Sequence, residues 1–391
     1  MLGQSGLHLG IDATNIRQGG GVTHLSQLLQ AGDPIAAGFD RVTVWTCQST
    51  AATLPERSWL VKRSAPWIEA ALPRRMAGQQ LQLPRDLLDA GCDVLFSPGG
   101  SLPYRCAIPA VTMSQNMLPF EPLEAARFGR LSPMRLKMWL LRYAQGLSFR
   151  RADAMIFLTQ YGETVVSKAL GGLSNPTALI PHGVEPRFLQ PPRPQRELAD
   201  CSVGNPFRML YVSILMPYKH QMALAYAVSQ LRTEGVPIEM RFIGAPWGDY
   251  GRKFRALLDR LDPKREFLLW SGAEPFYSLH AFYQSADAFV FASSCENLPN
   301  ILIEAMASGL PIACADRGPM PEVLAEAGIY FDPEVPTSVA DALRTLMLDV
   351  SLRVRLAQLA WCRAQAYSWE RCASDTFAFI ARVVQEQVSC K

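Results

Sequence analysis

The sequence predicts an α/β protein built from two Rossmann-like domains, and three observations support this fold class. Apolar strand-like runs alternate with helical stretches in two successive series, which is the pattern of parallel sheets joined by right-handed crossovers. The chain has 391 residues and is 49% apolar, which is enough for two packed cores. A proline-rich segment at 190–195, followed by polar residues to Asn205, separates the two series as a predicted linker.

The strand-like runs define the elements of each domain in order. Those of the first series are 8–12, 42–45, 94–97, 110–114, 154–158 and 178–181. Those of the second series are 209–212, 240–243, 267–270, 288–291, 311–315 and 328–331. We expect a first domain at 1–188, a second at 189–367 and a final helix at 368–391, with a ligand in the cleft between the domains.

Composition and charge exclude several classes of protein. A net charge of +3 is too small to indicate nucleic-acid binding. No run of 18 apolar residues occurs, and the start of the chain lacks the features of a signal peptide, so a cytoplasmic protein that does not span a membrane is expected. The nine cysteines are scattered without a C-x2-C pair, which favours reduced thiols in the cores, Cys295 included.

One segment, from Leu123 to Arg151, is strongly basic, with a single acid, Glu124. Its seven cations are Arg127, Arg130, Arg135, Lys137, Arg142, Arg150 and Arg151. A helix is predicted over 132–151, with one apolar stripe of Leu136, Trp139, Leu140, Tyr143 and Leu147 and another of Met134, Met138 and Leu141. Such a helix can bury one stripe and present the other, with its cations, to an anionic membrane surface; a fully buried helix is equally compatible with the pattern.

The most informative segment lies at 296–311. A predicted buried strand, 288–291, places Glu296 beyond its carboxyl end, where open α/β sheets bind ligands. Pro299 suits the first turn of a helix, and Gly309 suits its end. Glu296 therefore precedes a short helix, and Glu304 lies inside it.

The spacing of these two glutamates favours a binding role. A rise of ~1.5 Å per residue puts them at most about 12 Å apart, beyond the roughly 5 to 9.5 Å of a hydrolase pair. Between them, the N–H groups of Leu298, Asn300 and Ile301 at the helix start would form an anion site suited to a diphosphate. A ligand with hydroxyls at both ends and phosphates between them is a nucleotide sugar. Two solvated surface glutamates are the alternative.

The segment 303–311, Ile-Glu-Ala-Met-Ala-Ser-Gly-Leu-Pro, resembles the E-x7-E region of glycosyltransferase family 4, which are retaining enzymes of the GT-B fold that use nucleotide sugars. Pro321-Glu322-Val323 and Asp332-Pro333 also match elements of that family. The resemblance implies the GT-B fold: two Rossmann-like domains, the first acceptor-binding and the second donor-binding, that face a central cleft, with the C-terminal helix crossing back to the first domain.

The resemblance also implies roles for individual residues. Glu296 would hold hydroxyls of the donor sugar, Glu304 the ribose and Lys219 the diphosphate, so that Glu296 and Lys219 are the catalytic candidates. The family arginine that precedes this lysine is replaced by Ile214. The remaining donor-site candidates are Asn297, Leu298, Pro299, Asn300, Ile301, Ser213, Arg317 and, in the glycine-rich loop, Gly20 and Gly21.

Gln115 and Asn116 stand where many relatives have His-Asp. Because amides orient hydroxyls but do not take up protons, we expect Gln115, Asn116 and His24 to bind acceptor, with loop capping as the alternative. His182 is expected to be structural. The chain has no Asp-x-Asp motif, so neither a metal nor another cofactor is expected.

The sequence thus predicts a retaining hexosyltransferase that acts on a glycan or lipid-linked glycan in bacterial surface polysaccharide synthesis. GDP-mannose or a GDP-deoxyhexose is the preferred donor on overall similarity. The alternatives are a UDP-sugar donor, a sugar-nucleotide epimerase of the same fold, and a non-catalytic nucleotide-binding scaffold. The partners expected are the donor, the glycan acceptor and the inner face of an anionic membrane, without nucleic acid.

Overall fold

A computed structural model describes residues 6–129 and 131–389, and these form two compact units. Unit 1 comprises the described part of Met1–Phe120, Pro133–Gly183 and Ser368–Lys391. Unit 2 comprises the described part of Glu121–Ser132 and Val184–Tyr367. The sequence placed the first boundary at 188 and assigned 121–132 to the first domain, whereas that segment belongs to unit 2. Predictions that concern residues 1–5, Arg130 and residues 390–391 lie outside the described residues.

Unit 1 contains a seven-stranded sheet in which all pairs are parallel. Its strands are β1 Leu7–Asp12, β2 Phe39–Trp45, β3 Leu60–Arg63, β4 Val94–Ser97, β5 Ala110–Met113, β6 Ala154–Phe157 and β7 Thr177–Leu179. They lie in the order β3-β2-β1-β4-β5-β6-β7. The sequence analysis missed β3, because an edge strand of four residues that ends in Lys62 and Arg63 has no apolar run.

Unit 2 contains a six-stranded sheet, again parallel throughout. Its strands are β8 Phe207–Val212, β9 Ile238–Ile243, β10 Leu268–Trp270, β11 Ala288–Phe291, β12 Ile312–Ala315 and β13 Ile329–Phe331. Their order is β10-β9-β8-β11-β12-β13. Every strand predicted from the sequence overlaps an observed one, and in both units the order reverses beside the first strand, as in Rossmann sheets.

The helices that cover these sheets are α1 Gly20–Ala31, α2 Gln48–Ala51, α3 Pro66–Glu69, α4 Leu72–Leu81, α5 Leu83–Asp89, α6 Pro122–Ala126, α7 Pro133–Arg151, α8 Gln160–Leu170, α9 Gln221–Thr233, α10 Gly248–Leu261, α11 Leu279–Ser285, α12 Asn300–Ala307, α13 Met320–Leu324, α14 Pro336–Leu348, α15 Val350–Ala364 and α16 Trp369–Ser389. The last of them, α16, belongs to unit 1, where the rings of Phe377 and Phe39 are 6.4 Å apart.

The proline-rich segment is bound to unit 2 and is not a free linker. Gln190 N–H donates to the carbonyl of Ala307 at the end of α12 (2.9 Å). Arg193 donates to the carbonyl of Ala286 (2.7 Å), and Arg196 forms an ion pair with Asp287 (3.1 Å). The composition indicated a linker because it reports low helix and strand propensity, and it carries no information on such contacts.

Helix α7 begins at Pro133, as predicted, and its wide apolar stripe faces solvent. Trp139 and Tyr143 are 63% and 65% exposed, and Leu136, Leu140 and Leu147 are exposed as well. Met138, on the other predicted stripe, is buried. The fully buried alternative is therefore wrong. None of the described helices combines the length and the apolar character needed to cross a bilayer.

Candidate functional site

The two catalytic candidates meet at the reversal point of the unit 2 sheet. Lys219 follows β8, Glu296 follows β11, and these two strands are neighbours on either side of the reversal. Lys219 Nζ and Glu296 Oε1 form an ion pair whose side chains are only 7% and 16% exposed. The ammonium also lies 5.2 Å from the ring centroid of Tyr218. Residues 77 positions apart in the sequence thus form one largely buried ion pair.

The predicted helix after Glu296 is present as α12. It begins at Asn300 with Pro299 as the preceding cap residue, and it ends before Gly309, whose φ of 64° is left-handed. A side chain at Gly309 would also collide with the backbone of Pro192, 2.6 Å from the position of its Cβ. Glycine is therefore required here for two reasons.

The predicted anion site at the start of α12 needs one correction. Asn300 N–H donates to the carbonyl of Leu298 (2.9 Å), so that amide is already used within the turn. Asn297 and Leu298 are buried, and Asn300 and Ile301 are partly exposed. The turn is tighter than the sequence suggested, because the chain bends back on itself at Pro299 before the helix starts.

Glu304 lies on the buried side of α12, and this was not predicted. The hydroxyl of Tyr283 donates to Glu304 Oε2 (3.0 Å), and both side chains are buried. Burial raises the pKa of Glu304 to about 8, so this carboxyl group is mostly protonated at neutral pH. A neutral carboxyl group can donate as well as accept a hydrogen bond, which the sequence alone did not indicate.

Two further donor-site candidates already have partners. Ser213, directly after β8, accepts a hydrogen bond through its Oγ from Gln221 Nε2 (2.8 Å). Arg317 forms ion pairs with Asp316 and with Asp332 (2.8 Å for Asp332). Arg317 is therefore not the uncommitted cation that its sequence position suggested.

The glycine-rich loop of unit 1 has the predicted form. Gly19 has a φ of 68° and precedes α1, which begins at Gly20. The turn is closed by hydrogen bonds from Val22 N–H and Thr23 N–H to the carbonyl of Gly19 (3.0 and 3.3 Å). Gly20 is exposed and Gly21 is partly exposed, so the backbone of this turn is accessible.

His24 is not a surface residue, in contrast to its predicted acceptor role. It is 0% exposed, and its ring stacks on that of His182 with centroids 4.6 Å apart. Burial and the neighbouring His182 hold its pKa well below 6.5, so the ring is neutral. His182 in turn stacks on Trp369 (5.4 Å), which fits the structural role predicted for His182.

The two amides that replace His-Asp have different positions. The Gln115 side chain contacts His24 Nδ1 (3.1 Å) and is partly exposed. Asn116 is exposed, and its Oδ1 accepts the N–H of Leu118 (3.1 Å). Loop capping, the alternative reading, thus describes Asn116, while Gln115 orients a buried histidine.

A polar cluster beside the Lys219–Glu296 pair was not predicted from the sequence. Arg127 forms ion pairs with Glu124 (2.7 Å) and with Glu334 (2.6 Å). Ser294 Oγ donates to Glu124 Oε2 (2.6 Å) and also contacts His220 Nε2 (2.9 Å). Only the i,i+3 spacing of Glu124 and Arg127 was visible in the sequence; their partners are 170 and 207 positions away.

His220 has two unusual features. Its φ of 51° is left-handed, which is uncommon for a residue with a side chain. Burial, with a smaller effect of Arg127, lowers its pKa to about 4, so that it is neutral. A neutral ring that contacts Ser294 fixes the turn in which Lys219 lies.

The thiols offer no nucleophile at this site. Cys295 is buried beside Glu296, and burial raises its pKa well above 9. All described cysteines are unpaired. Among the described residues, no three His, Cys, Asp or Glu side chains come together as a metal site.

Comparison with known proteins identifies the part of the chain around this site. The family profile described as Glycosyl transferases group 1 matches residues 206–349. The D-inositol 3-phosphate glycosyltransferase of Corynebacterium glutamicum (strain R) is 30% identical over 171 residues, 42% of this chain and 41% of that protein. The O-antigen chain mannosyltransferase B of Escherichia coli is 26% identical over 43% of this chain and 44% of its own length.

The chain thus spans about two fifths of the length of these curated relatives. A solved structure, the sucrose-phosphate synthase of Thermosynechococcus elongatus, has a TM-score of 0.76 at 16% identity and covers 98% of this chain and 100% of its own. At that identity the likeness shows the fold alone. Residues 206–349 therefore form a glycosyl transferases group 1 domain in a chain of GT-B fold.

Proposed function

We propose that this chain is a retaining glycosyltransferase that moves a hexosyl group from a nucleotide sugar to a glycan or lipid-linked glycan. The observation that carries the proposal is the largely buried Lys219–Glu296 ion pair at the reversal of the unit 2 sheet. Ligands of open α/β sheets bind at that position, beyond the carboxyl ends of the strands.

The two charged groups have complementary tasks in this mechanism. Lys219 neutralises the diphosphate as it departs, which lowers the energy of the transition state. Glu296 accepts hydrogen bonds from hydroxyls of the donor sugar once Lys219 has turned to the phosphates. The ion pair holds both side chains in place before the donor binds. Glu304, protonated at neutral pH, exchanges a hydrogen bond with the ribose.

Retention follows from attack on the face from which the diphosphate leaves. The bond between the anomeric carbon and the diphosphate oxygen breaks, and the acceptor oxygen bonds to that carbon on the same face. The acceptor proton passes to the diphosphate oxygen, so that no protein base is required. This agrees with the amides Gln115 and Asn116, which cannot take up a proton.

GDP-mannose or a GDP-deoxyhexose remains the preferred donor, and bacterial surface polysaccharide synthesis the preferred context. The Escherichia coli relative, an O-antigen chain mannosyltransferase that is 26% identical, supports mannose as the sugar and surface polysaccharide as the context. A UDP-sugar is the competing donor, and the nucleotide measurement below separates the two.

The test is a thermal-shift comparison of GDP, UDP, ADP and dTDP on the whole chain. The preferred nucleotide raises the Tm of the wild type, because it binds the folded form alone. The Lys219→Met and Glu304→Ala variants should lose most of this shift. Lys253→Met is the matched control, because Lys253 is 68% exposed on α10 and distant in sequence from the site. Equal shifts in wild type and Lys219→Met contradict the assignment.

Product analysis then separates the enzyme classes. A transferase gives a new glycoside only when acceptor is present, and its anomeric configuration is that of the donor sugar. An altered sugar nucleotide without acceptor indicates the epimerase. Intact donor after long incubation with an acceptor library indicates a non-catalytic scaffold.

We further propose that α7 binds an anionic membrane surface. Its exposed stripe carries Trp139 and Tyr143, side chains suited to the membrane interface, and it adjoins Arg135, Lys137 and Arg142. A cavity of about 400 Å³ lies along the helix, lined by Trp139, Arg142, Tyr143, Gly146, Leu147, Arg150 and Leu170. A lipid-linked acceptor would be reached from such a surface.

Sedimentation with vesicles tests this surface. Vesicles with 30% phosphatidylglycerol are expected to bind the wild type at least about tenfold more tightly than pure phosphatidylcholine vesicles, since each cation contributes about 1 kcal/mol. Trp139→Ala/Tyr143→Ala should reduce binding to the anionic vesicles. Tyr277→Ala is the control, because Tyr277 is also exposed but lies in unit 2. Equal binding to both kinds of vesicle would contradict the proposal.

A further inference from the structure

A second polar cluster lies at the reversal point of the unit 1 sheet, between β1 and β4. Asp12, the last residue of β1, is buried and accepts hydrogen bonds from Thr14 Oγ1 (2.7 Å) and Gln79 Nε2 (2.5 Å). Gln79 Nε2 also donates to Ser101 Oγ (3.1 Å), in the loop after β4. The network therefore joins the two loops that flank the reversal to helix α4.

Two arginines extend this network toward solvent. Arg75 on α4 donates through Nε to Asn15 Oδ1 (2.8 Å) and through Nη1 to the carbonyl of Ala70 (3.0 Å). Arg17, in the loop after β1, donates through Nη2 to the carbonyl of Ile68. The carbonyl groups of Ile68 and Ala70 are two residues apart and therefore at most about 7 Å from each other. Both guanidinium groups thus contact the same short segment of the chain.

Neither arginine forms an ion pair with a carboxylate of the described residues. Glu69 is near enough to act on both through its charge, and Arg17 Nε is buried without a hydrogen-bond partner. Glu69, between the two carbonyl groups, directs its Oε1 to Gln48 N–H (2.7 Å) and Ser64 Oγ (3.1 Å). Burial, followed by the charge of Arg17, lowers the pKa of Arg75, and the charge of Glu69 offsets this shift only in part.

Two neighbouring guanidinium groups that share one nearby carboxylate, Glu69, and form no ion pair with it favour an anion with several oxygens. One bidentate arginine saturates a carboxylate, whereas a phosphate has enough oxygens for both arginines. The donor diphosphate is assigned above to unit 2. The remaining reactant, the acceptor, is therefore the molecule that would bring a phosphate to unit 1.

We propose that Arg17 and Arg75 bind a phosphate group of the acceptor, and that the exposed side chain of Asn15 beside them forms a hydrogen bond with an acceptor hydroxyl group. The proposal rests on the proposed function, since it presumes that unit 1 receives an acceptor. It replaces His24, which is buried, and Asn116, which caps its own loop, as the residues that select the acceptor. The phosphate belongs either to a sugar phosphate or to the diphosphate of a lipid-linked glycan.

Titration calorimetry on the whole chain tests the proposal with three probes: inorganic phosphate, glucose 6-phosphate and farnesyl diphosphate. At least one probe should bind the wild type, and Arg17→Gln/Arg75→Gln should weaken it at least about tenfold, since each charged hydrogen bond is worth about 1.5 kcal/mol or more. Arg74→Gln is the matched control, an exposed arginine adjacent to Arg75 on α4, and should change affinity less than about twofold. Tighter binding of glucose 6-phosphate indicates a sugar phosphate, and tighter binding of farnesyl diphosphate a lipid diphosphate.

Three outcomes would overturn the proposal: no binding of any probe to the wild type, equal binding by wild type and double variant, or weaker binding of GDP and UDP by the double variant. The last result would assign the arginines to the donor. Failure of the proposed function gives a different result, in which no nucleotide stabilises the wild type while the phosphate probes still depend on Arg17 and Arg75.

Discussion

The reversal points of the two sheets carry opposite charge arrangements. In unit 2, each cation of the site is paired with a carboxylate: Lys219 with Glu296, Arg127 with Glu124 and Glu334, and Arg317 with Asp316 and Asp332. In unit 1, Arg17 and Arg75 donate to carbonyl and amide oxygens and form no ion pair with a described carboxylate, although the charge of Glu69 acts on both. An anion that enters unit 2 must exchange partners with an existing ion pair, whereas one that enters unit 1 meets cations already available.

This difference has an energetic consequence. A buried ion pair holds its members in place and makes each costly to remove, while two like charges side by side repel each other and cost stability. The charges of unit 2 thus hold the side chains of its site in place. Those of unit 1 are available to bind an anion. The following predictions measure that contrast.

The largest effect is expected from breaking the unit 2 pair. Lys219→Met leaves the largely buried Glu296 without its partner, and the free energy of unfolding should fall by about 3 kcal/mol. Urea denaturation measures this loss. Lys219→Met/Glu296→Gln should regain much of it, since neither charge is then left alone. A double variant as unstable as the sum of the single variants would show that the two side chains act independently.

A smaller effect is expected for Arg127. Arg127→Gln removes both ion pairs of the cluster that contacts Ser294, and unfolding should become easier by about 1 to 2 kcal/mol. Half-exposed Glu334 contributes less than buried Glu124. Glu334→Gln should therefore cost less than Arg127→Gln in the same urea titration. A larger loss of unfolding free energy for Glu334→Gln than for Arg127→Gln would contradict this, because the exposed ion pair would then contribute more than the buried one.

Glu304 gives a pH-dependent effect. Its pKa is about 8 in the folded chain and about 4.3 in the unfolded one, so folding takes up a proton between these values. Stability should therefore fall as the pH rises from 5 to 8. Because Glu304→Gln cannot titrate, its Tm should fall less over this range than that of the wild type. Parallel Tm curves for the two proteins would contradict the raised pKa.

The smallest effect is expected in unit 1. Arg17→Gln or Arg75→Gln removes one of two like charges, so the unfolding free energy should change by less than about 0.5 kcal/mol or rise slightly. The thermal midpoint at low and high salt measures this, because added salt should stabilise the wild type more than either variant. A loss above about 2 kcal/mol would mean that the arginines serve the fold and are not held for a ligand.

The sequence predicted the parts of the fold that depend on local pattern. Apolar runs identified the strands, apart from the polar edge strand β3, and Pro299 and Gly309 bounded helix α12. The spacing of apolar residues and the local composition are properties of residues that are neighbours in the sequence. They can therefore be determined without knowledge of the fold. They could not show which stripe of α7 would be exposed, because both stripes are apolar.

The site was predicted in part for the same reason. Lys219 and Glu296 were singled out through their motifs, and the structure places them in contact. The burial of His24, the protonation of Glu304 and the absence of an ion pair at Arg17 among the described residues depend on residues far away in the chain. No spacing reports such contacts, so the acceptor role of Gln115, Asn116 and His24 stays a prediction, and the burial of His24 weighs against it.

The segment 121–132 has a practical consequence for dividing the molecule. It leaves unit 1 after Phe120, contributes Glu124 and Arg127 to unit 2, and returns at Pro133. A fragment cut at 184 and 367 would contain Glu334 and Ser294 but would lack both of their partners. A fragment ending at 183 would carry those partners as an exposed loop and would also lack α16. Domain dissection therefore calls for a rearranged gene in which 121–132 is grafted onto 184–367, and simple truncation should yield poorly folded halves.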